Sequence, residues 1–217
     1  MKKIFVLLLI SLVLLTSSIV YSHELDSRLV GKVIVLDAGH GGKDRGTSVN
    51  GIYESDINLS IVKTLKNKLN KHGVDVILTR DNDYDLSSPD ASRRKKSDFD
   101  NRIDLINESA ADLYLSIHIN YLSDNRYYGA QVFYTDGNNV LAESIQNSFI
   151  NDLDSPLKEK KLSEDIYMYK KLTIPGVLIE CGFLSNDRER VLLNSNDYQK
   201  KIVDSIVDGL LKYYSLL

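Results

Sequence analysis

Two patterns of apolar and polar positions follow one another along this chain. One pattern predicts strands and the other predicts helices. Short apolar runs rich in β-branched residues are typical of strands buried on both faces, whereas apolar residues every three to four positions indicate amphipathic helices. The alternation predicts an α/β fold: one domain with a mixed, largely parallel sheet of about six strands and helices on both faces. Strands are predicted at 33–36, 74–78, 113–118, 129–134, 166–169 and 176–180, and helices at 55–71, 97–110, 138–153 and 197–214.

Two polar stretches separate these elements. Residues 153–164 contain Pro156 and are interpreted as a loop, and the strand at 166–169 is expected at a sheet edge because its flanks are polar. Residues 81–98 form a long connection that contains the basic run 93–96. That run is interpreted as a solvated loop or helix start, and contact with an anionic polymer or a partner protein is the alternative.

The first 22 residues have the character of an export signal. Two lysines precede the apolar run 4–15, and small and hydroxyl residues follow it up to Ser22. Residues 4–21 are also just long enough to cross a bilayer as an uncleaved anchor. We expect cleavage after Ser22 because the unbroken apolar core is short, with the membrane anchor as the alternative. A linker at 23–32 and a globular domain at 33–217 then follow.

Composition and charge narrow the classes of protein to which this chain can belong. A chain of 217 residues with 43% hydrophobic and 26% charged residues suits one globular domain. The net charge of -3, with basic residues matched by acidic ones throughout, gives no support to a nucleic-acid partner. The single cysteine, Cys181, lies in a predicted strand and is interpreted as a core residue rather than a nucleophile.

Two of the four histidines lie where predicted strands end. His40 follows the first strand inside a glycine-rich turn, and His118 ends the strand at 113–118. Since the carboxyl ends of parallel strands form the edge of a sheet where ligands bind, these two side chains could converge, although each alone could be structural. His23 and His72 are interpreted as ordinary surface residues.

Two carboxylates accompany these histidines. Glu54 comes just before the helix at 55–71, where a charge that stabilises the helix N-terminus is the simplest interpretation. Glu180 ends a buried strand, and a carboxylate there is costly unless it is paired or functional. The period of two places Leu178 and Glu180 on one face of that strand, and Ile179 and Cys181 on the other.

Four separated motifs, taken in order, resemble the zinc-dependent N-acetylmuramoyl-L-alanine amidases of the amidase_3 family. The resemblance extends from residue 33 to residue 214. Two positions depart from the family pattern: Ala38 stands where many relatives have proline, and Ile119 where many have alanine, and neither supplies a ligand. The motifs are DAGHGG at 37–42, Glu54, SIHIN at 116–120 and IECGFLSN at 179–186.

The resemblance implies that His40, Glu54 and His118 bind zinc and that Glu180 is the catalytic carboxylate. Two imidazoles and one carboxylate leave a tetrahedral zinc ion a fourth position for water, whose pKa falls to roughly 7. The implied reaction is hydrolysis of the amide between N-acetylmuramic acid and L-alanine in peptidoglycan. Arg80 could neutralise a substrate carboxylate or the hydrated intermediate, or it could pair with neighbouring aspartates, Asp81 or Asp83.

Within the family, such a short exported chain most resembles the germination-specific CwlD-type amidases of endospore formers. These act on spore-cortex peptidoglycan on the way to muramic-δ-lactam. The expected location is the cell wall or the forespore intermembrane space, with a membrane anchor or a partner protein to localise or activate the domain. Two alternatives remain open: a zinc peptidase of the same fold that cuts a wall peptide, and a non-catalytic peptidoglycan-binding protein.

Overall fold

The computed structural model describes residues 28–157, 160–163 and 165–217. The predicted leader at 1–22 and His23 lie outside the described residues. The described part of the predicted linker packs against the domain, because Leu29 is fully buried in the core. No helix in the described ranges is both long enough and apolar enough to cross a membrane.

Eight strands and five helices make up the described chain. The long elements match the predicted ones, usually within a few residues at either end. The strands are β1 (Val33–Ala38), β2 (Ser48–Val49), β3 (Ile52–Tyr53), β4 (Asp75–Leu78), β5 (Leu113–Asn120), β6 (Gln131–Tyr134), β7 (Lys161–Leu162) and β8 (Gly176–Phe183). The helices are α1 (Glu54–Lys71), α2 (Arg94–Glu108), α3 (Asn139–Asp152), α4 (Asp187–Leu193) and α5 (Asn196–Tyr214).

The main sheet has six strands in the order β4-β1-β5-β8-β6-β7. β4, β1, β5 and β8 pair in parallel, β6 pairs antiparallel with β8, and β7 pairs in parallel with β6. The central strands β1 and β5 are buried on both faces, which explains their continuous apolar runs. The predicted mixed, largely parallel sheet of six strands is confirmed.

Helices cover both faces of this sheet, as predicted. Alternate residues of β1 point to opposite sides: Leu36 joins the large core cluster that α1, α3 and α5 contribute to, and Val35 joins a smaller one. The smaller cluster contains Ile103 and Ile106 of α2. Among the described residues, α2 is therefore the one helix that covers this face.

The predicted strand at 166–169 is wrong. Residues 167–171 form turns, and the edge strand is instead β7, inside the stretch predicted as a loop. The apolar residues Met168 and Tyr169 are buried in the smaller cluster on the α2 face. Their side chains cover the part of that face which α2 leaves open. Their apolar character therefore reflects packing on the sheet and not pairing within it.

The basic run 93–96 is a helix start, as interpreted from the sequence. α2 begins at Arg94, which pairs with Asp85, and Lys96 pairs with Asp100 one turn later. Lys95 lies 3.8 Å from the carboxylate of Asp44 in the glycine-rich turn. Three of the four cations therefore have acidic partners within the chain.

Candidate active site

His40, Glu54 and His118 meet at the carboxyl edge of β1 and β5. Glu54 Oε1 lies 3.2 Å from His40 Nε2 and 3.0 Å from His118 Nδ1. One ligand atom from each residue lies within 4.8 Å of the others. Two imidazoles and a carboxylate are a donor set typical of catalytic zinc, so the residues present fit that ion.

The turn that carries His40 has an unusual backbone. His40 itself has a φ of 61°, which non-glycine residues adopt at a cost of about 1–3 kcal/mol and often at functional sites. The ring of His118 packs against Gly39, where a Cβ atom would lie 2.3 Å from it. At Gly46, with a φ of 63°, a Cβ atom would lie 2.5 Å from Glu54 Oε2. Glycine at these two positions therefore lets the three side chains approach one another.

Glu54 is a fixed anion at the first position of α1. The residue is only 3% exposed, and its Oε2 accepts a hydrogen bond of 2.9 Å from the backbone N–H of Thr47. Burial alone would raise its pKa, but its hydrogen bonds with His118 and His40 hold the pKa far below the ordinary value. Its place at the helix N-terminus favours the same charged form.

Asp44 orients His40 from the side opposite to Glu54. Its Oδ2 lies 3.0 Å from His40 Nδ1, which leaves Nε2 directed toward Glu54. Burial opposes protonation, but the hydrogen bonds to Glu54 and Asp44 raise the pKa of His40. A carboxylate on the outer nitrogen of a ligand histidine is a common arrangement around protein metals.

Arg80 holds the backbone of the glycine-rich turn. Its guanidinium is buried, and the residue is 1% exposed. It donates hydrogen bonds to Ala38 O at 2.8 Å, Gly39 O at 3.0 Å, Ser55 O at 2.8 Å and Asn82 O at 3.1 Å. These four carbonyl acceptors join β1, α1 and the connection after β4.

Arg102 of α2 holds the same turn from the other side. Its Nη2 donates to His40 O at 2.7 Å, and its Nη1 donates to Asp37 Oδ1 at 2.7 Å and to Ala38 O at 2.9 Å. Asp37 also accepts a 2.6 Å hydrogen bond from Ser116 Oγ. Burial opposes ionisation of Asp37, but the Arg102 charge, the His118 charge and the hydrogen bonds from Ser116 and Thr79 together hold the Asp37 pKa at about 2.

Glu180 of β8 lies beside His118 in the register of the sheet and on the same face. In the described part of the chain, Glu180 Oε2 is buried and has no hydrogen-bond partner. Burial, together with the nearby Glu54 charge, raises the pKa of Glu180 to about 7, although His118 and His40 oppose this. A buried carboxylate oxygen without a partner among the described residues, next to the metal-ligand set, is available to a substrate or a water molecule.

The remaining predicted positions lie away from this group. His72 follows α1 at the end opposite to Glu54, which is about 27 Å away for a helix of 18 residues. Cys181 is fully buried in the large core cluster with Ile179, as predicted, and burial raises its pKa well above the ordinary value.

Comparison with protein families identifies the chain. Residues 34–212 match the Amidase_3 family, described as N-acetylmuramoyl-L-alanine amidase. The chain belongs to this amidase family. The predictions of an α/β amidase fold and of an enzyme from this family are therefore confirmed.

Several relatives of this amidase are known. A germination-specific N-acetylmuramoyl-L-alanine amidase of Bacillus subtilis is 39% identical over 193 residues, which cover 86% of this chain and 81% of the relative. The CwlD amidase from Clostridioides difficile, solved in complex with the GerS lipoprotein, superposes with a TM-score of 0.82 at 38% identity, covering 86% of this chain and 100% of that one. AmiC2 of Nostoc punctiforme superposes with a TM-score of 0.74 at 29% identity, covering 85% and 97%.

Sequence reasoning missed three polar residues around the site of this amidase: Asp37, Asp44 and Arg102. Asp37 carried a usable signal, because a carboxylate at the end of a buried strand needs a partner just as Glu180 does. Arg102 follows Asp98 by one helical turn, the spacing of an ion pair, and that pair proves to be buried at 3.0 Å. Asp44 follows His40 by four residues, but nothing in a glycine-rich loop predicts that these two would meet.

Proposed function

We propose that this chain is a zinc-dependent amidase that cleaves the amide between the lactyl group of N-acetylmuramic acid and the L-alanine of the peptidoglycan stem peptide. Membership of the family supports the choice of this amide as the bond that is cleaved, and one observation supports zinc-dependent hydrolysis. That observation is the cluster of His40, Glu54 and His118 with Glu180 adjacent to it in the sheet. The cluster has the donors that zinc needs and a carboxylate free to move protons.

The four residues have distinct roles in this proposal. His40, Glu54 and His118 would hold the zinc ion, which when bound acts as a Lewis acid and lowers the pKa of water. Glu180 accepts a proton from water as the water oxygen bonds to the carbonyl carbon of the amide. It then returns that proton to the nitrogen as the C–N bond breaks. A pKa of about 7 suits a group that must both accept and release a proton near neutral pH.

We propose a positioning role for Arg80 rather than direct contact with the substrate. Its guanidinium is buried and donates to four carbonyl oxygens around the His40 turn. These bonds use most of its five donors, and little remains for a substrate carboxylate.

We propose the spore cortex as the biological setting, with the product on the way to muramic-δ-lactam. The support is the 39% identity to a germination-specific amidase and the close superposition on CwlD. The N-terminal sequence supports export across the cytoplasmic membrane. The CwlD structure contains a lipoprotein, and a comparable partner is proposed to localise or activate this chain.

The test of this function separates zinc binding from catalysis. Glu180→Gln should keep stoichiometric zinc by elemental analysis, while its release of stem peptides from purified peptidoglycan falls by about 10²–10⁴-fold. His40→Ala should lose the zinc. Glu108→Gln, which changes an exposed glutamate of α2, is the matched control and should keep both zinc and activity.

Mass spectrometry of the products identifies the bond that is cut. A muramic acid that has lost its whole stem peptide supports the amidase, whereas a shortened stem peptide left on the sugar would indicate a peptidase. Full activity of Glu180→Gln would remove Glu180 from the mechanism, and retained zinc in His40→Ala would refute the ligand role of His40.

A further inference from the structure

A cavity lies at the same edge of the sheet as the candidate active site. It has a volume of about 740 Å³, within the range of small-molecule sites. It lies between the loop 121–130, the helix α4 and the start of α5. Its walls include Tyr128, Pro156, Leu192 and Tyr198, and basic side chains line it as well. None of the four proposed zinc-binding and catalytic residues lines it.

The loop 121–130 connects the cavity to the active site. It begins directly after β5, the strand that carries His118, and its far end forms one wall of the cavity. The loop is fixed to the end of β8 and to the chain after it: the Tyr127 ring lies 6.4 Å from that of Phe183, and Asn186 Nδ2 donates to Asn125 O at 2.9 Å. This loop therefore joins the strand that carries His118 to one wall of the cavity.

The charged groups of the cavity favour an anionic ligand. Arg188 and Lys201 are exposed and have neither a hydrogen bond nor an ion pair with any described residue. Arg126 is already paired with Asp124 at 2.7 Å. Two acidic residues also line the cavity, Asp154, which is exposed, and Glu189, which is buried.

The buried acid of the cavity is not free to bind a ligand. The two oxygens of Glu189 accept hydrogen bonds from the backbone N–H groups of Gly129 at 2.9 Å and Phe183 at 2.7 Å. These bonds join the start of β6 to the end of β8 and make Glu189 part of the wall. The groups left to contact a ligand are the two unpaired cations, the exposed carboxylate of Asp154, and the tyrosine, proline and leucine side chains of the walls.

We propose that this cavity binds the carboxylate-bearing end of a second stem peptide on the same peptidoglycan strand. This inference rests on the proposed function, since it takes peptidoglycan as the substrate. Arg188 and Lys201 would bind the free carboxylate, and the tyrosine, proline and leucine side chains would pack against the small apolar side chains of the peptide. Because the substrate is a repeating polymer, binding at this cavity would raise the effective concentration of the scissile amide at the active site.

The direct test uses a free stem tetrapeptide, which has no muramoyl amide to cleave, and the zinc-loaded full chain. Isothermal titration should show binding that weakens at least about tenfold in the double variant Arg188→Glu/Lys201→Glu. The matched control Lys63→Glu/Lys200→Glu makes the same change in charge at exposed helix positions outside the cavity and should bind as the wild type does. The same peptide with an amidated carboxyl terminus should also bind at least about tenfold more weakly.

Cleavage assays then separate this inference from the proposed function. The Arg188→Glu/Lys201→Glu variant should show a raised KM on polymeric peptidoglycan while its kcat/KM on a single disaccharide–peptide unit stays unchanged. The inference is overturned if the tetrapeptide does not bind, if the amidated peptide binds equally well, or if the control variant loses as much binding. Failure of the wild type to cleave the single unit would instead contradict the proposed amidase function.

Discussion

His40 has the most constrained backbone of the residues in the proposed zinc site. Its φ of 61° is unfavourable for a residue with a side chain, and its carbonyl oxygen accepts a 2.7 Å hydrogen bond from Arg102. Asp44 fixes the ring through Nδ1. These hydrogen bonds hold His40 in its strained backbone conformation and direct its side chain toward Glu54 and His118.

Removal of the Asp44 carboxylate should weaken zinc binding without removing a ligand. In Asp44→Ala, His40 Nδ1 loses its partner, so the ring and its tautomer are no longer fixed. We expect zinc affinity to fall about 10–100-fold. Competition with a chromogenic chelator at fixed pH measures this change.

Lys95→Met is the control for this prediction. Lys95 lies 3.8 Å from Asp44, and its side chain is 66% exposed, so its loss should change zinc affinity much less. Equal zinc affinity in Asp44→Ala and the wild type would show that Glu54 alone is enough to orient His40.

At the scale of helices and strands, α2 supports the site through the buried side chain of Arg102. Arg102 is 1% exposed, and its guanidinium bonds to two buried carboxylates, those of Asp37 and Asp98. Arg102→Met would leave both carboxylates buried without their cation, at an expected cost of about 3–5 kcal/mol in the free energy of unfolding. Urea unfolding in the presence of a chelator measures this cost without a contribution from metal.

The surface pair of Arg126 and Asp124 provides the comparison for Arg102. It has similar chemistry and a distance of 2.7 Å, but the Arg126 side chain is 86% exposed. Arg126→Met should therefore change the free energy of unfolding far less than Arg102→Met does. Equal losses in the two variants would contradict the buried role given to Arg102.

The helix α4 makes the stability of the fold depend on pH through Glu189. Burial raises the pKa of this carboxyl from 4.5 to about 7, against the hydrogen bonds from Phe183 and Gly129. Between these pH values the unfolded chain releases the proton while the folded chain keeps it. The free energy of unfolding should therefore fall as pH rises through this range, by roughly 3 kcal/mol in total, and level off above pH 7.

Glu189→Gln should remove the part of this dependence that Glu189 contributes, while Glu180, whose pKa burial also raises to about 7, keeps its own part. Urea unfolding from pH 5 to pH 8, again with a chelator, would compare the slope of the wild type with that of the variant. The offset caused by the new amide cancels when slopes are compared. Glu108→Gln, which changes an exposed glutamate, should leave the slope as it is. Parallel curves for wild type and Glu189→Gln would refute a raised Glu189 pKa.

The elements show why some features could be predicted from the sequence. β1 and β5 are buried on both faces, so continuous apolar runs marked them, and the histidines after those runs indicated the edge where the site lies. The run 166–169 is also apolar but covers a face of the sheet, and apolar character alone cannot distinguish the two. Arg102 and Asp44 act through contacts between distant or irregular segments, which have no period in the sequence.

At the scale of the whole molecule, the three proposed zinc ligands come from three separate elements. His40 lies in the turn after β1, Glu54 starts α1, and His118 is in β5, 64 residues after Glu54. An ion held by all three would connect these elements in the folded chain but not in the unfolded one. Zinc should therefore stabilise the fold as well as serve the reaction.

The size of this effect follows from mass action. With free zinc at 100 times its dissociation constant, the folded state gains about 2.7 kcal/mol, which corresponds to a rise in Tm of about 5–10 °C for a domain of this size. Differential scanning calorimetry with and without a chelator should show that rise in the wild type. His118→Ala should lose the rise, because it removes the ligand from β5, whereas Glu180→Gln should retain it, because Glu180 is proposed to move protons and not to bind the metal. If the zinc-dependent rise in Tm survives in His118→Ala but disappears in Glu180→Gln, then Glu180 binds zinc and His118 does not.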